Sequence, residues 1–287
     1  HKKQLYQGLT GEWRLTPTER KRILLDHIYG VDIDAQAVEV TKLSLLLKVL
    51  EGESGETLTT QLQFFKERAL PNLGSNIKCG NSLIGPDFYD NQQMSFLDEE
   101  ERYRINVFDW EPEFPDVTKA GGFDAVIGNP PYVRVHRLDA AEKQYFWKRY
   151  QVFIAKADIY ACFILKGIEL LRTDGRLGFI TPNTWSSLVS FTNLRQFVLS
   201  QTSVEQMVRT PERVFKNATV RTFVFIVGKA GAVGELETSR CLVRDMGEGG
   251  ELGGIGFIRQ ADMKTAHLSN LLLYGEAKAS ELFGGGL

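Results

Sequence analysis

Four consecutive residues suit the alkylation of a planar, weakly nucleophilic NH2 group: Asn129, Pro130, Pro131 and Tyr132. The Asn129 side-chain oxygen can accept one hydrogen bond from such an amine, and the Pro130 carbonyl can accept the other. Two acceptors draw the nitrogen lone pair out of conjugation, so that it can attack an electrophile held beside it. The prolines fix φ and remove competing N–H donors, and Tyr132 offers a flat face for an aromatic ring.

The position of this tetrad favours a functional role. Residues 123–128 form a short apolar run after the Gly121-Gly122 turn, and this pattern predicts a buried strand that the prolines end. Asn and Pro also favour simple turns, so the tetrad alone does not decide the matter. However, ligands of open α/β sheets bind at the carboxyl ends of strands, and the tetrad follows a strand directly.

Composition limits the class of protein. With 287 residues, 43% of them hydrophobic, the chain can bury the core of one large domain, or of one domain and part of a second. The near balance of 34 basic and 36 acidic residues means that a DNA partner would need local basic patches. The three cysteines have no metal-ligand spacing, and we expect no metal site and a reducing, cytoplasmic location. An apolar run of about 18 residues is missing, which predicts no membrane association.

The elements before the tetrad follow a strand–helix alternation. Thr16 as N-cap, Pro17 and Glu19 predict a helix that ends near residue 26, and residues 28–31 predict a buried strand. A long helix with apolar periodicity follows. Its predicted core side comprises Ala37, Val38, Val40, Leu43, Leu46, Leu47 and Leu50.

Two carboxylates lie between that strand and that helix. Asp34 is most simply the N-cap of the helix. Asp32, at the strand tip, has the position of the acidic residue that binds ribose hydroxyls in nucleotide-binding α/β folds. We therefore predict a cofactor site at Asp32 and the adjacent Ile33.

The remaining strands complete an α/β pattern. Further strands are predicted at residues 76–79, 177–180, 204–208 and 223–227, and the acidic stretch 84–120 is predicted to be irregular, with Phe108, Trp110 and Phe114 as packing residues. Alternating strands and helices predict a doubly wound, mainly parallel sheet, here with a terminal antiparallel hairpin.

Basic residues follow the tetrad at once. Arg134 and Arg137 are candidates for contacts with DNA phosphates. The helix predicted next interleaves basic and aromatic residues, and we expect Phe146 and Trp147 on its core side.

The tetrad after Phe-Asp-Ala-Val-Ile-Gly resembles the catalytic motif of the S-adenosylmethionine-dependent N6-adenine DNA methyltransferases. The branch with fused restriction–modification enzymes and phage-defence methyltransferases is the most similar, from about residue 27 to about residue 229. The resemblance implies a Rossmann-like sheet, S-adenosyl-L-methionine as cofactor, and methyl transfer to N6 of an adenine flipped out of double-stranded DNA. It also implies a fused or associated endonuclease.

The resemblance also assigns individual residues. It implies that Asp32 binds the cofactor ribose, and that Asn81 and Ser82 lie beside the cofactor adenine. An Asn-Ser turn is the alternative for this pair, and Ser82 replaces an aromatic residue of some relatives. Phe163 would face the cofactor ring, unless it is a core residue, and Phe215 would help to hold the flipped base.

One feature of the family is missing from this sequence. A glycine-rich strand and turn, which cradles the methionine part of the cofactor, would precede the strand at residues 28–31. We therefore expect residues 1–230 to be a methyltransferase catalytic domain that is incomplete at its N-terminus, and residues 231–287 to begin a target-recognition or linker module.

Two other functions stay open at this point. Release-factor glutamine N5-methyltransferases also use Asn-Pro-Pro-Tyr on a planar amide, although the 84–120 insertion and the arginines after Tyr132 argue against them. Alternatively, the chain is a catalytically incomplete fragment that binds DNA.

Overall fold

The computed structural model describes residues 4–7, 11–51, 71–90, 99–152, 158–211, 221–231, 235–266 and 271. The chain divides into two units, His1–Phe114 and Pro115–Leu287.

The first unit alternates short strands and helices. In chain order its elements are β1 (Leu5–Gln7), β2 (Trp13–Leu15), α1 (Pro17–His27), β3 (Gly30–Asp32), α2 (Ala35–Leu50), β4 (Ile77–Cys79), α3 (Glu99–Ile105) and α4 (Trp110–Glu113). β1 and β2 pair antiparallel, and β3 and β4 pair parallel with Asp32 opposite Cys79. The strand predicted at residues 28–31 is thus present as β3, two residues later, but its predicted burial is wrong: no residue of β3 is buried and Ile28 is 40% exposed, because β3 pairs with β4 alone among the described residues.

Capping side chains fix the starts of two helices in this unit. The Thr16 hydroxyl accepts the backbone N–H of Glu19 at 3.4 Å, and Pro17 occupies the first position of α1. The Asp34 carboxylate accepts the N–H of Gln36 at 2.7 Å and thereby caps α2. Both predicted helix starts are confirmed.

The packed face of α2 is narrower than predicted. One core cluster of this unit is formed by Leu24, Val38, Val49, Leu73 and Ile77. Val40, Leu43 and Leu47 were expected on the same side, but they are 63%, 55% and 58% exposed. At 3.6 residues per turn these three side chains lie on the side of α2 opposite to residues 38 and 49. The helix therefore has two apolar faces, and only the face with residues 38 and 49 packs in this core cluster. The core prediction is wrong for these three positions.

The stretch 84–120 contains more helix than predicted, because short helices α3 and α4 lie within it. Its aromatic residues pack on one another as expected: the ring centroids of Phe108 and Trp110 are 5.2 Å apart, and those of Trp110 and Phe114 are 5.7 Å apart. Gly80 makes room for this cluster, since a Cβ there would lie 2.4 Å from the Phe108 ring.

The second unit is built on one larger sheet. Its elements are α5 (Pro115–Lys119), β5 (Phe123–Gly128), α6 (Ala140–Arg149), α7 (Tyr160–Leu170), β6 (Leu171–Pro182), α8 (Thr192–Gln201), β7 (Thr202–Arg209), β8 (Thr222–Lys229), α9 (Glu235–Thr238), β9 (Arg240–Met246), β10 (Leu252–Arg259) and α10 (Gln260–Thr265). Short 3-10 helices lie at Val135–Arg137, Asn183–Ser186 and Val189–Phe191.

Among the described residues this sheet has six strands in the order β10-β9-β7-β8-β6-β5. β5 is parallel to β6 and β7 is parallel to β9, whereas β8 runs antiparallel between β6 and β7. Four strands therefore share one direction, and β7 with β8 forms the antiparallel pair predicted near the end of the catalytic region. The predicted α/β fold class, a mainly parallel Rossmann-like sheet, is confirmed.

Residues beyond 230 continue this sheet. β9 pairs in parallel with β7, and β10 completes the edge beside β9. Gln260, which is completely buried, ties the following helix to β7, because its side-chain oxygen accepts the N–H of Val204 at 2.9 Å. The expected boundary near residue 230, with a target-recognition or linker module after it, stays a prediction.

Candidate active site

The tetrad begins where β5 stops pairing. Gly128 is the last residue of β5 in register with β6, opposite Phe179, and Asn129 follows it at the carboxyl end of the strand. Asn129 and Pro131 are exposed, Pro130 is buried, and Tyr132 is half-buried. The strand and its abrupt polar end are both present where the sequence predicts them, because β5 stops at the residue before the amide. The predicted burial of this strand is wrong: among the described residues β5 is an edge strand of the sheet, and Ile127 is 85% exposed.

The side chains of the tetrad make a contact with each other. The Tyr132 hydroxyl donates a hydrogen bond to Oδ1 of Asn129 at 3.1 Å, and it lies 3.5 Å from the carbonyl oxygen of Ile180 at the end of β6. Burial raises the pKa of Tyr132, so its hydroxyl keeps the hydrogen that it donates. The hydroxyl of Tyr132 thus holds the amide oxygen of Asn129 close to the tyrosine ring.

A hydrogen-bond acceptor next to an aromatic ring can bind a flat ring that carries an NH2 group. Asn129 Oδ1 has two lone pairs, and the Tyr132 hydroxyl uses one of them. The second lone pair remains able to accept one hydrogen of an amine. Asn129 is exposed, so a ligand can reach this oxygen.

The segment after the tetrad presents two arginines. Arg134 and Arg137 are exposed at either end of a 3-10 turn, and the backbone of Arg134 forms a β-bridge with Asp158. This bridge fixes the turn against the start of α7. In α6, Phe146 is buried as predicted, but Trp147 is 51% exposed, so the core prediction is wrong for Trp147. The tryptophan lies one residue past the face that packs.

The predicted cofactor residues of the first unit lie at the carboxyl ends of β3 and β4. Asp32 ends β3, its carbonyl accepts the N–H of Gly80 at 2.9 Å, and Asn81 follows that glycine after β4. Oδ1 of Asp32 accepts the N–H of Asp34 at 2.8 Å. Asp32 and Ile33 are exposed, with Ile33 at 52%. A carboxylate accepts about four hydrogen bonds, so Asp32 keeps capacity for hydroxyl groups.

The Asn81-Ser82 pair forms the turn that was one of its two interpretations. Oδ1 of Asn81 accepts the N–H of Leu83 at 3.1 Å, and the carbonyl of Ser82 accepts the indole N–H of Trp110 at 3.0 Å. The turn holds both residues at the strand end without using up the amide, whose NH2 group and second lone pair remain for a ligand.

The second unit holds two aromatic candidates, Phe163 and Phe215. Phe163 on α7 is only partly buried, whereas its neighbours Cys162 and Ile164 are completely buried. A purely core role therefore does not describe Phe163. Phe215 lies outside the described residues.

Three residues near the tetrad carry no local sequence signal of their role. The buried ring of Tyr160 packs edge-on against Tyr132, with 6.3 Å between centroids, and its hydroxyl is 3.0 Å from Oγ1 of Thr184. Arg195, also completely buried, binds the loop that contains Thr184. Their contacts join distant parts of the chain, which local patterns do not reveal.

Among the described residues, His, Cys, Asp and Glu side chains form no group of three or more that could hold a metal ion. The helices in that part of the chain are all too short or too polar to cross a membrane.

Comparison with known proteins places the chain among DNA restriction–modification proteins. The type II restriction enzyme and methyltransferase RM.Eco57I of Escherichia coli is 31% identical over 232 residues, which cover 79% of this chain and 21% of that protein. The type II methyltransferase M.HincII of Haemophilus influenzae is 34% identical over 115 residues, covering 37% and 22% respectively. This chain thus matches about a fifth of the length of these relatives.

A solved structure shares the fold. A nuclease-deletion mutant of the Type ISP restriction-modification enzyme LlaGI, in complex with a DNA substrate mimic, matches 81% of this chain and 19% of its own, with a TM-score of 0.50 and 12% identity.

The family model described as Eco57I restriction-modification methylase matches residues 26–215, a stretch that begins before β3 and includes the whole tetrad. This match extends over more than half of the sequence, and the chain therefore belongs to the Eco57I restriction-modification methylase family.

Proposed function

We propose that this chain transfers a methyl group from S-adenosylmethionine to the N6 amine of an adenine flipped out of duplex DNA, as part of a restriction–modification or phage-defence system. The observation that carries the proposal is the hydrogen bond from Tyr132 to Oδ1 of Asn129 at the carboxyl end of β5. This hydrogen bond holds an amide acceptor beside an aromatic ring, and a purine with an exocyclic amine needs both groups close together.

The tetrad activates the amine. Asn129 Oδ1 accepts one N–H hydrogen and the Pro130 carbonyl accepts the other, so the nitrogen lone pair is no longer shared with the ring. S-adenosylmethionine supplies an electrophilic methyl group on a sulfonium. The amine nitrogen, held by these two acceptors, would take the methyl group from the sulfur, which would keep the bonding electron pair, and the extra proton on nitrogen would leave to water. The polar acceptors stabilise the positive charge that develops on the nitrogen.

Tyr132 compensates part of the cost of base flipping. Extruding a base from a duplex costs a few kcal/mol, about the same as the roughly 1–3 kcal/mol that stacking on an aromatic side chain returns. The ring of Tyr132 is half-buried and packs against Tyr160, so it is held in place while part of it remains accessible. The exposed Arg134 and Arg137 follow directly and would contact DNA phosphates, which position the duplex.

The residues at the ends of β3 and β4 fit the cofactor. The Asp32 carboxylate would accept the ribose hydroxyls, and the Asn81 amide, held in place by its turn, would hydrogen-bond the adenine amino group. Ile33 and Ser82 are the adjacent candidates at that edge. Phe163, which is partly exposed, would contact the cofactor ring.

The wider setting follows from the relatives. One relative is named as both a restriction enzyme and a methyltransferase, so we propose an endonuclease fused to this chain or associated with it. DNA in the cytoplasm would be the substrate, with residues 231–287 beginning a target-recognition or linker module.

Modified-base sequencing of host DNA tests the function. The gene is deleted, then restored either as wild type or with Asn129→Ala. We expect N6-methyladenine in one sequence motif to disappear on deletion and to return only with the wild-type gene.

Each other result contradicts part of the proposal. Loss of N4-methylcytosine instead would refute the adenine specificity. An unchanged methylation pattern would refute DNA methylation and favour a glutamine substrate. Return of methylation with Asn129→Ala would refute the role of the amide.

A further inference from the structure

The ring of Tyr132 rests on a second tyrosine that the proposed chemistry does not use. Tyr160, the first residue of α7, meets Tyr132 nearly perpendicularly, with an interplanar angle of 83°. Tyr160 also stacks on Phe191, with centroids 5.5 Å apart and an angle of 20° between the rings. Tyr160 is completely buried, so both contacts fix its ring.

The hydroxyl of Tyr160 is also anchored. It lies 3.0 Å from Oγ1 of Thr184, which belongs to the 3-10 helix directly after β6. Burial raises the pKa of Tyr160, so the hydroxyl stays protonated at neutral pH and can donate this bond. A buried phenol without a partner would destabilise the fold, and this bond avoids that penalty while fixing the rotation of the ring.

A buried arginine in turn holds the loop that supplies Thr184 and Phe191. Nη1 of Arg195 donates to the carbonyl oxygens of Trp185 and Leu188, both at 2.7 Å. Arginine stays charged and presents its donors in a rigid fork, so one side chain can fix two separate points of a loop. These hydrogen bonds hold the loop, and with it Thr184 and Phe191, in a fixed position.

These contacts form one path to the reacting amide. It runs from Arg195 through the loop to Thr184, then to Tyr160, to the ring of Tyr132, and by the Tyr132 hydroxyl to Oδ1 of Asn129 at 3.1 Å. Every contact on the path lies within the second unit.

We propose that Tyr160 is a positioning residue for methyl transfer: braced by Thr184 and Phe191, it sets the orientation of Tyr132 and thereby that of the Asn129 amide. This inference rests on the proposed function, because it concerns the same tetrad. It adds a residue that touches neither base nor cofactor.

Hydroxyl deletions test the proposal without removing any ring. The variants are Tyr160→Phe, Thr184→Val and the two combined, made in the protein as the cell produces it. Tyr150→Phe is the matched control: it deletes the same atom from another buried tyrosine, which packs on Phe146 at 5.8 Å instead of on the tetrad. Single-turnover methylation of a duplex with the motif found by sequencing, the KM for S-adenosylmethionine and thermal unfolding are measured for each protein.

We expect Tyr160→Phe and Thr184→Val each to slow single turnover about tenfold at unchanged KM, since small misplacements of catalytic groups have effects up to about a hundredfold. The double variant should be no slower than the slower single variant, because both changes delete the same bond. Tyr150→Phe should react as fast as wild type.

Rates equal to wild type in Tyr160→Phe would overturn the positioning role, and so would an equal loss in Tyr150→Phe or fully multiplicative losses in the double variant. If Tyr160→Phe unfolds below the assay temperature, Thr184→Val is compared with Thr184→Ser, which keeps the hydroxyl. The serine variant should react like wild type and the valine variant about tenfold more slowly; equal rates in the two would also overturn the role. These outcomes leave the proposed function intact, whereas a wild-type protein without adenine methylation refutes both.

Discussion

Replacing Asn129 with alanine removes the side-chain acceptor on which the proposed chemistry depends. The side chain is exposed, and the structure gives it one hydrogen bond, from the Tyr132 hydroxyl, which is itself partly open to water. Loss of such a bond changes stability by about 1 kcal/mol or less. Asn129→Ala should therefore fold like wild type, and its thermal midpoint should fall by only a few degrees.

The effect on the reaction should be much larger. In the transition state the amide oxygen faces a nitrogen that is gaining positive charge, and removing one preorganised group of this kind lowers rates by about 10²–10³, or about 2.7–4 kcal/mol. The bond to the amine is made only once the base has left the duplex, so the affinity for S-adenosylmethionine should not change. The expected signature is a large fall in the rate at a constant cofactor dissociation constant.

Single-turnover methylation with radiolabelled S-adenosylmethionine measures the rate, and equilibrium titration measures cofactor binding. Asn193→Ala provides the control, since it makes the same change at an exposed position on α8 in the same unit. We expect this control to behave as wild type. A rate for Asn129→Ala within threefold of wild type, or a parallel loss of cofactor affinity, would refute the role assigned to the amide.

Three further predictions concern DNA binding, backbone geometry and thiol reactivity. Arg134→Ala should weaken binding to all DNA sequences alike and lower the salt dependence by about one counterion, as measured by fluorescence anisotropy. Gly122→Ala should destabilise the protein by about 3 kcal/mol or more in urea unfolding, because φ is +124° and a Cβ would lie 2.5 Å from backbone oxygen at the end of α7. Burial raises the pKa of Cys241 to about 12, so iodoacetamide at pH 8 should label Cys79 and spare Cys241, as read by mass spectrometry.

Each of these predictions has an outcome that would contradict it, and Gly121→Ala is the control for Gly122→Ala. Gly121 also has a positive φ, +89°, but a Cβ there would meet nothing within 4 Å, so Gly121→Ala should cost only about 1–2 kcal/mol. Equal losses at the two glycines would show that the contact at Gly122 is unimportant. Sequence-selective weakening in Arg134→Ala would contradict a phosphate contact. Labelling of Cys241 as fast as Cys79 in the folded protein would contradict its burial.

Local signals predicted the elements that place the candidate site. The caps at Thr16 and Asp34 act within three residues, so a short stretch of sequence determines the starts of α1 and α2. The end of β5 is equally local, because the strand meets two prolines. For this reason the residue types alone place Asn129 at a strand end.

Packing between segments that are distant in sequence was harder to predict from the residue pattern. The apolar periodicity of α2 does not say which of two apolar faces is buried, and the exposed face with Val40 and Leu43 was assigned to the core. Strand order has the same difficulty: β9 lies in parallel beside β7, although the chain between them passes through β8. Such pairings depend on the whole sheet and cannot be predicted from a short segment of sequence.

The tetrad shows how the two kinds of information combine. Its residue types indicate the chemistry, but they do not show what fixes the orientation of the Asn129 amide oxygen. Because this oxygen has two lone pairs, the Tyr132 hydroxyl can hold it while the substrate amine binds, and the two hydrogen bonds do not compete. In the proposed reaction, stacking and activation are then one event: a base that stacks on the Tyr132 ring would bring its amine to an acceptor that the same tyrosine orients. A support behind that ring, such as Tyr160 bonded to Thr184 twenty-four residues away, matters to the reaction for this reason.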